Sequence, residues 1–334
     1  MIKVLYISNF KPDVGGISGQ IQILMENLDP QRVTTEIFNT KGNFVRRFIS
    51  FFSLLVKGVS FDVFHIHGCS YWGGFFPIII GTIVGKILSK RIIITYHGGD
   101  AEKFFTKYPR ITVFFLKKAN KIIVLSAYLE SIFQKSGLAV EVIPNVLNYM
   151  KVIDFRKKTL TPRFICIRAL RPLYNIPCII DAFEIIKKNY SEATLTLLGD
   201  GSQREDLEEY VKSKGLNGVF FIGRVENAKV NEYLQNADIM LSSPRIDNMP
   251  VSILEGFKAG NLVISSNVGG VPYIIEHGFN GLLFESNTPS DLAEKALFAL
   301  KNQNKSLQMI ENARLSLIKY TWEAVEEKFY ALYV

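Results

Sequence analysis

Short apolar runs rich in β-branched residues alternate along the chain with segments of helical periodicity. Such runs, without polar alternation, are typical of strands covered on both faces, as in a parallel sheet. The predicted strands are KVLYIS, DVFHIH, RIIITYH and KIIVLS in the first half, and RFICIRA, TLTLLGD, VFFIGRV, ADIMLSS and NLVISS in the second. The predicted helices between them include SGQIQILMENL, PCIIDAFEIIKKN and REDLEEYVKSKG.

The strand–helix alternation occurs twice, on either side of the polar, basic stretch NYMKVIDFRKKTLTPR. A chain of 334 residues also exceeds a single typical core. The predicted fold is therefore α/β, with two Rossmann-like, doubly wound parallel-sheet domains facing a cleft. We place the first domain at residues 1–150, the second at 151–318 and a terminal helix at 319–334.

Composition narrows the class of protein. The hydrophobic content of 48% is that of a globular chain. Cys69, Cys166 and Cys178 are widely spaced, which argues against a disulfide framework or zinc site and predicts a cytoplasmic location. The N-terminal segment reaches Lys11 and Pro12 before an apolar signal region could form, so we expect no export.

The longest apolar run, WGGFFPIIIGTIVGKIL, is interrupted by Pro77, Gly81, Gly85 and Lys86. A membrane-spanning helix needs about 20 mostly apolar residues, so this run is not predicted to cross a bilayer. We interpret it as a loop followed by a buried or interfacial helix.

The net charge of +8 predicts an anionic partner. Basic residues are scattered and lack aromatic interleaving, so nucleic acid is not expected. The segment NFVRRFISFFSLLVKG sets Arg46, Arg47 and Lys57 beside phenylalanines. One interpretation is peripheral attachment to an anionic membrane at the inner face of the plasma membrane, where a lipid-linked glycan acceptor would lie. The alternative is a core helix with solvated basic ends.

Glycine turns follow several predicted strands, where ligands bind in open parallel sheets. Gly15 and Gly16 precede a helix and would let the backbone approach a phosphate or sugar, although a plain glycine turn fits equally well. Gly223 follows a later strand and suggests space for a nucleotide's base and ribose. The first turn is not G-x-G-x-x-G, which argues against a nicotinamide-dependent oxidoreductase.

Histidine and arginine stand at two other strand ends. His97 in TYHGGD is a candidate for hydrogen-bonding a sugar or steadying charge. His65 and His67 share one face of DVFHIHG but lack further metal ligands, so we interpret them as structural or cleft-lining and predict no metal site. Arg168, followed by Arg171, could bind two diphosphate oxygens at once; the alternative is a solvated surface arginine.

The stretch RIDNMPVSILEGFKAG predicts a helix with Pro250 in its first turn, Asn248 or Met249 as its cap and Gly260 after its end. The free amides of residues 250–252 would form an anion site, so Val251 and Ser252 are candidate donor-binding residues.

Two acids accompany this anion site. Asp247 and Glu255 would lie roughly 12 Å apart along a helix, farther than two carboxylates that flank one glycosidic bond. We expect each to hold separate hydroxyl groups, one on either side of a diphosphate. The alternative is that Glu255 pairs with a lysine on the helix surface.

In chain order the sequence contains KPDVGGIS, FDVFHIHG, ANKIIVLSAYL, VIPNV, LLGDGSQREDLE, FIGRV, NADIMLSSP, GGVPYIIEHGFNGLLF and YTWEAVEEKFYALY. In this order it resembles the retaining family 4 glycosyltransferases of GT-B fold, also called glycosyl transferases group 1, over nearly its whole length. The resemblance implies a UDP- or GDP-sugar donor on the second domain and a glycan or lipid-linked acceptor on the first. It also implies a last helix, around Trp322, that returns to the first domain.

The resemblance extends to single residues. Asp247 and Glu255 match the family's acid-x7-acid motif, with Glu255 on the ribose. Asp247 and the amides from Asn248 to Val251 would hold the transferred sugar, and His97 would contact the donor sugar. Aspartate replaces the commoner glutamate at position 247.

The second departure concerns the diphosphate. Arg168 fits the family's arginine, but Leu173 and Tyr174 stand where a lysine is expected, and Arg171 is the candidate substitute. The implied activity is metal-independent, cofactor-free hexosyl transfer with retention, in cell-surface polysaccharide or glycolipid synthesis. The alternative is a non-catalytic module that binds glycans or anionic membrane.

Overall fold

The computed structural model describes residues 1–11, 16–147 and 158–334. The chain forms two compact units: Met1–Asn148 with Tyr320–Val334 is unit 1, and Tyr149–Lys319 is unit 2. The predicted glycine at position 15 and most of the predicted linker lie outside the described residues.

Unit 1 contains a parallel sheet in the order β2-β1-β3-β4-β5-β6 across its described residues. Its strands are β1 (Ile2–Ser8), β2 (Val33–Asn39), β3 (Val63–Gly68), β4 (Arg91–Tyr96), β5 (Lys121–Val124) and β6 (Glu141–Val142). Its helices are α1 (Ile17–Asn27), α2 (Phe44–Gly58), α3 (Tyr71–Ile87), α4 (Ala101–Lys107), α5 (Pro109–Leu116), α6 (Ala127–Lys135) and the terminal α13 (Trp322–Tyr333).

Both faces of the first sheet are covered. Alternate residues of β1 enter different cores: Leu5 packs with residues of α2 to α6, whereas Val4 and Tyr6 pack with α1 and α13. Leu5 and Tyr6 are both completely buried. Burial on both faces explains why the central strands read as unbroken apolar runs.

Helix α3 corrects one expectation. The loop predicted at the start of the run WGGFFPIIIGTIVGKIL is absent from the described structure, because the helix already begins at Tyr71 and contains Pro77. A proline inside a helix removes the hydrogen bond to the carbonyl four residues earlier. That carbonyl belongs to Gly73, and it accepts a hydrogen bond of 2.6 Å from Asn9 Nδ2 instead.

The last helix packs on unit 1. Trp322, Phe329 and Tyr333 of α13 are buried in the core that also contains Val4 and Tyr6. The Tyr333 hydroxyl lies 2.9 Å from the Tyr6 hydroxyl. The end of the chain therefore completes the core begun by the first strand.

Unit 2 contains a parallel sheet in the order β12-β11-β10-β7-β8-β9. Its strands are β7 (Arg163–Ile167), β8 (Thr194–Leu198), β9 (Val219–Gly223), β10 (Ile239–Ser242), β11 (Leu262–Ser266) and β12 (Leu282–Phe284). Its helices are α7 (Ile176–Asn189), α8 (Arg204–Ser213), α9 (Asn227–Gln235), α10 (Val251–Lys258), α11 (Pro289–Lys301) and α12 (Gln303–Ser316).

The two parallel sheets flanked by helices confirm the predicted α/β fold class. In the second sheet, the carboxyl ends of β7, β9 and β10 carry, or open into the loops that carry, the candidate donor residues. Among the helices described, none is long and apolar enough to cross a membrane.

Candidate active site

Arg168 and Asp247 come together at the carboxyl edge of the unit 2 sheet. Arg168 follows β7, and Asp247 lies in the loop between β10 and α10. Arg168 Nη2 lies 3.0 Å from Asp247 Oδ2, and the side chains are only 10% and 20% exposed. The interpretation of Arg168 as a solvated surface arginine is therefore wrong.

The arginine retains unused donors. Its Nε and Nη2 atoms are buried and make no hydrogen bond with any described residue, so the contact with Asp247 is an ion pair without hydrogen-bond geometry. Its Cζ atom lies 5.0 Å from the centre of the Tyr174 ring. Because a buried N–H without an acceptor is costly, this guanidinium is suited to receive an anion.

Helix α10 begins later than predicted, by one residue relative to a Met249 cap and by two relative to an Asn248 cap. Pro250 is its N-cap, with an extended ψ of 109°, and Val251 is its first residue. Proline has no N–H, so the amides without an intrahelical acceptor at this end are those of Val251 and Ser252, not of residue 250. The Ser252 Oγ atom is also buried and has no hydrogen-bond partner among the described residues.

Glu255 is half-buried on α10. Burial raises the pKa of its carboxyl, and the positive charges of Arg168 and Lys258 oppose that shift. Across the described part of the chain, its carboxylate makes no ion pair within 4.0 Å and no hydrogen bond, so the proposed surface pairing with a lysine is not observed. Arg168, Asp247 and Glu255 thus form one electrostatic group.

Two glycines that the sequence reasoning did not select as site residues support this loop. Gly269 and Gly270 follow β11, and the Gly270 amide donates to the Asp247 carbonyl at 2.9 Å. A Cβ at Gly269 would overlap the Asp247 carbonyl oxygen, and one at Gly270 would overlap that of Asn248. A glycine pair in the loop after a predicted strand was the available signal.

Leu173 and Tyr174 stand where the family has a lysine. Their segment is held to the end of β10 by hydrogen bonds. Ser243 Oγ donates to the carbonyls of Tyr174 and Asn175, both at 2.9 Å, and the Arg245 amide donates to the Leu173 carbonyl at 2.8 Å. Tyr174 therefore packs on Arg168 where a second cation was expected. Arg171 is exposed to solvent.

The predicted glycines differ in setting. Gly223 ends β9 with φ +82°, and a Cβ there would lie 2.8 Å from Arg204 Nη1. Within the described ranges, no hydrogen bond joins Gly223 directly to Arg168 or Asp247. Gly16 is the N-cap of α1 with φ +73°, and a Cβ there would meet no atom of the described residues within 4 Å. Backbone conformation, rather than crowding by described neighbours, requires glycine at position 16.

The histidines of unit 1 form a connected group. His67 Nδ1 lies 3.0 Å from Nε2 of His97, the candidate residue after β4. His65 is bonded at both nitrogens, by the Tyr333 hydroxyl at 2.9 Å and the Thr95 hydroxyl at 2.8 Å. Burial lowers the pKa of His65 and of His97 to about 3, and that of His67 well below its ordinary value. All three rings are therefore neutral near pH 7.

No cluster of three or more His, Cys, Asp or Glu side chains in the described ranges is arranged to hold a metal ion.

Two family models match successive parts of the chain. The model described as Glycosyltransferase Family 4 matches residues 21–149, and the model described as Glycosyl transferases group 1 matches residues 152–316.

Relatives are similar over most of the sequence. An uncharacterized glycosyltransferase of Methanocaldococcus jannaschii is 25% identical over 287 residues, covering 80% of this chain and 74% of the relative. The 2-deoxystreptamine N-acetyl-D-glucosaminyltransferase of Niallia circulans is 23% identical over 312 residues, covering 83% and 77%.

Solved structures share the fold. Anabaena HepE in complex with UDP-glucose superposes with a TM-score of 0.77 at 17% identity, covering 98% of this chain and all of the other. Sucrose-phosphate synthase from Thermosynechococcus elongatus gives a TM-score of 0.79 at 15% identity, covering 100% and 98%. Together with the two family models, this fold shows that the chain belongs to the group 1 and family 4 glycosyltransferases of GT-B fold.

Proposed function

We propose that the protein transfers a hexosyl group from a nucleoside-diphosphate sugar to an acceptor hydroxyl with retention at the anomeric carbon, without a metal or other cofactor. UDP and GDP are the candidate nucleotides. The product would be a cell-surface polysaccharide or a glycolipid. HepE, a structural neighbour, has been solved with UDP-glucose, which supports a donor of this class.

One observation carries the proposal. Arg168 has buried nitrogens without a hydrogen-bond partner among the described residues, and it sits in the same unit as the amide-bearing end of α10. A pyrophosphate supplies the acceptor oxygens that both features lack. Asp247 and Glu255 then provide carboxylates for sugar and ribose hydroxyls.

The proposed reaction places charge on the diphosphate. The bond from the anomeric carbon to the diphosphate oxygen breaks, and its electron pair stays on that oxygen. The acceptor oxygen bonds to the same face of the carbon, and its hydroxyl proton passes to the departing diphosphate. Arg168 and the amides of Val251 and Ser252 stabilise the developing negative charge.

The test is a donor panel. Purified protein is incubated with UDP-, GDP- and ADP-sugars in the presence and absence of EDTA, and nucleotide release is followed. We expect turnover with one UDP- or GDP-sugar, unchanged by EDTA, and an α- or β-configured product that matches the donor by NMR. Donor binding without any turnover would instead favour the non-catalytic module.

We propose further that unit 1 attaches peripherally to an anionic membrane through α2, which would bring a lipid-linked glycan acceptor within reach. Residues at helical spacing form an exposed apolar stripe. They are Val45, Phe48, Ile49, Phe52 and Val56, each 53–78% exposed. The core-helix alternative accounts for buried Leu54 but not for this stripe.

The positive charge of the protein supports an anionic membrane as the surface that α2 binds. Arg46 on α2 is exposed, and the chain carries a net charge of +8. Liposome sedimentation tests the attachment: we expect pelleting with phosphatidylglycerol vesicles, lost in the double variant Phe48→Ser, Phe52→Ser. Phe220→Ser removes a 51%-exposed phenylalanine from unit 2 and should leave pelleting unchanged. Equal pelleting of all three proteins would reject the α2 surface.

A further inference from the structure

His67 and His97 share one hydrogen bond whose direction fixes the chemistry of both rings. The His67 Nδ1 to His97 Nε2 distance is 3.0 Å, and the rings lie at 25° with centroids 5.2 Å apart. Both are neutral, so each ring carries a single proton. Either His67 Nδ1–H donates to His97, or His97 Nε2–H donates to His67.

The surroundings of His67 distinguish the two arrangements. Its other nitrogen, Nε2, is buried and has no hydrogen-bond partner within the described ranges. If His97 donated, the single proton of His67 would sit on Nε2 as an unpaired buried donor, which carries the full desolvation cost of an N–H without an acceptor. If His67 donates, Nε2 is only a lone pair, and unpaired buried acceptors are better tolerated than unpaired N–H groups.

A water molecule is a poor substitute partner for this nitrogen. The adjoining cavity measures about 10 Å³ and is lined largely by apolar side chains such as Leu24, Ile123 and Ile143. This volume is at the lower limit for one water. The amide of Gln20, a polar group in the lining, is already engaged with the Val146 backbone at 2.8 and 2.9 Å.

The ring of His67 is also held in place. It lies on β3 against His65, with ring centroids 4.5 Å apart, and it meets the Tyr6 ring in an edge-on arrangement with centroids 5.5 Å apart. His65 cannot turn freely because Tyr333 and Thr95 hold both of its nitrogens. Central strand pairing of β3 with β1 and β4 fixes the backbone beneath them.

We propose that His67 is a positioning residue that donates from Nδ1 to His97 and thereby fixes His97 as a neutral hydrogen-bond donor, with its Nδ1–H directed to a substrate oxygen. His97 is half-buried, and its Nδ1 has no partner among the residues described. The role of His97 toward a substrate rests on the proposed glycosyl transfer. The assignment of the proton of His97 to Nδ1 does not depend on that function.

The first test reads the tautomer without activity. The chain has four histidines, so ¹⁵N-histidine labelling gives a tractable long-range ¹H–¹⁵N spectrum. We expect His97 to be protonated at Nδ1 and His67 at Nδ1 in the wild-type protein, with His97→Gln and His67→Gln used for assignment. Protonation of His97 at Nε2 would overturn the proposal even if the enzyme were fully active.

The second test uses matched variants. In His67→Asn the amide nitrogen occupies the position of Nδ1 and can still donate to His97, whereas in His67→Gln the amide lies nearer the position of Nε2. We expect His67→Gln to lower kcat by about tenfold to a hundredfold and His67→Asn to recover most of that loss. The loss should also appear as mixed His97 tautomers in the spectrum.

The free energy of unfolding of the His67 variants is measured alongside kcat. Trp72 and Trp322 both belong to unit 1, so tryptophan fluorescence reports unfolding of the unit that contains His67. Two variants of equal stability but unequal kcat would support positioning. Equal kcat in both variants, or a kcat that follows stability alone, would overturn it. If no donor is turned over, the spectrum alone decides the tautomer, and the transfer proposal fails separately.

Discussion

Arg168 Nη2 lies 3.0 Å from Asp247 Oδ2, while the Arg168 Nε atom points at no acceptor among the described residues. The ion pair neutralises a carboxylate that would otherwise repel a diphosphate. In the proposed reaction, the remaining donor capacity of the guanidinium binds the diphosphate. One residue would then both screen an acid and bind an anion.

The two acids should have separable effects on binding. Glu255→Ala should weaken UDP and UDP-sugar alike, by about tenfold to a hundredfold, because the proposed contact is with the ribose present in both. Asp247→Ala should weaken only the UDP-sugar, because its proposed contact is with the transferred sugar. Titration calorimetry with both ligands measures this; parallel losses in the two variants would contradict the assignment. If GDP is the nucleotide, the same comparison uses GDP and its sugar.

Alanine variants of Arg168 and Arg171 should differ in activity, because Arg168 is largely buried and Arg171 is exposed. Arg168→Ala should lower kcat by about 10² to 10³, as expected when one donor to a developing anion is lost. Arg171→Ala removes a solvent-exposed cation, and we expect a change below about tenfold. Steady-state kinetics compares them. A loss in Arg171→Ala as large as in Arg168→Ala would show that Arg171 supplies the missing lysine's charge.

Much of the fold could be predicted because the central strands are buried on both faces. The strands that the pattern missed, β2, β6 and β12, all lie at sheet edges. These three edge strands are short or half-exposed and lack a long continuous apolar run. β6 has two residues, and β2 mixes buried and exposed positions. Their pairing depends on tertiary contacts that no local pattern carries.

From the sequence, only those parts of the site that lie next to strand ends could be predicted. Arg168, Asp247 and Glu255 were selected by position in the α/β pattern, and the structure brings them together. The contacts of Gly269 and Gly270 with the 247–248 backbone depend on how two loops pack, which sequence spacing does not encode. The His67–His97 bond depends on the register of β3 with β4, which places His67 opposite Thr95.

Gly269 and Gly278 provide a matched pair of variants that tests whether the Gly269 contact positions Asp247. Gly269 has φ +52° and Gly278 has φ +77°, so alanine at either position is strained by roughly 1–2 kcal/mol. Only at Gly269 would the new Cβ overlap the Asp247 carbonyl, since Gly278 has open space. Gly269→Ala should weaken nucleotide-sugar binding, and Gly278→Ala should not. Equal affinities by calorimetry would show that the loop contact does not position Asp247.

The buried histidines predict acid sensitivity of unit 1. Burial holds the pKa of His65 at about 3, whereas an unfolded histidine titrates near 6.5. Between these values the unfolded chain binds a proton that the folded one does not, so stability falls as the pH drops below about 6.5. The contribution of His65 approaches about 1.4 kcal/mol per pH unit as the pH falls toward 5 and the unfolded histidine becomes fully protonated.

Denaturant titrations followed by tryptophan fluorescence at pH 6.5, 5.75 and 5 test this. We expect His65→Gln to reduce the slope of unfolding free energy against pH by that amount, whatever its effect on absolute stability. His277→Gln, in unit 2, serves as the control. Identical slopes for wild type and His65→Gln would mean that His65 is not held neutral.

The most direct measurement is an experimental structure of the protein with UDP or GDP bound. The account predicts phosphate oxygens within hydrogen-bonding distance of the Val251 and Ser252 amides and of the Arg168 guanidinium, with Glu255 on the ribose hydroxyls. A nucleotide bound elsewhere, with Arg168 contacting only Asp247, would contradict it.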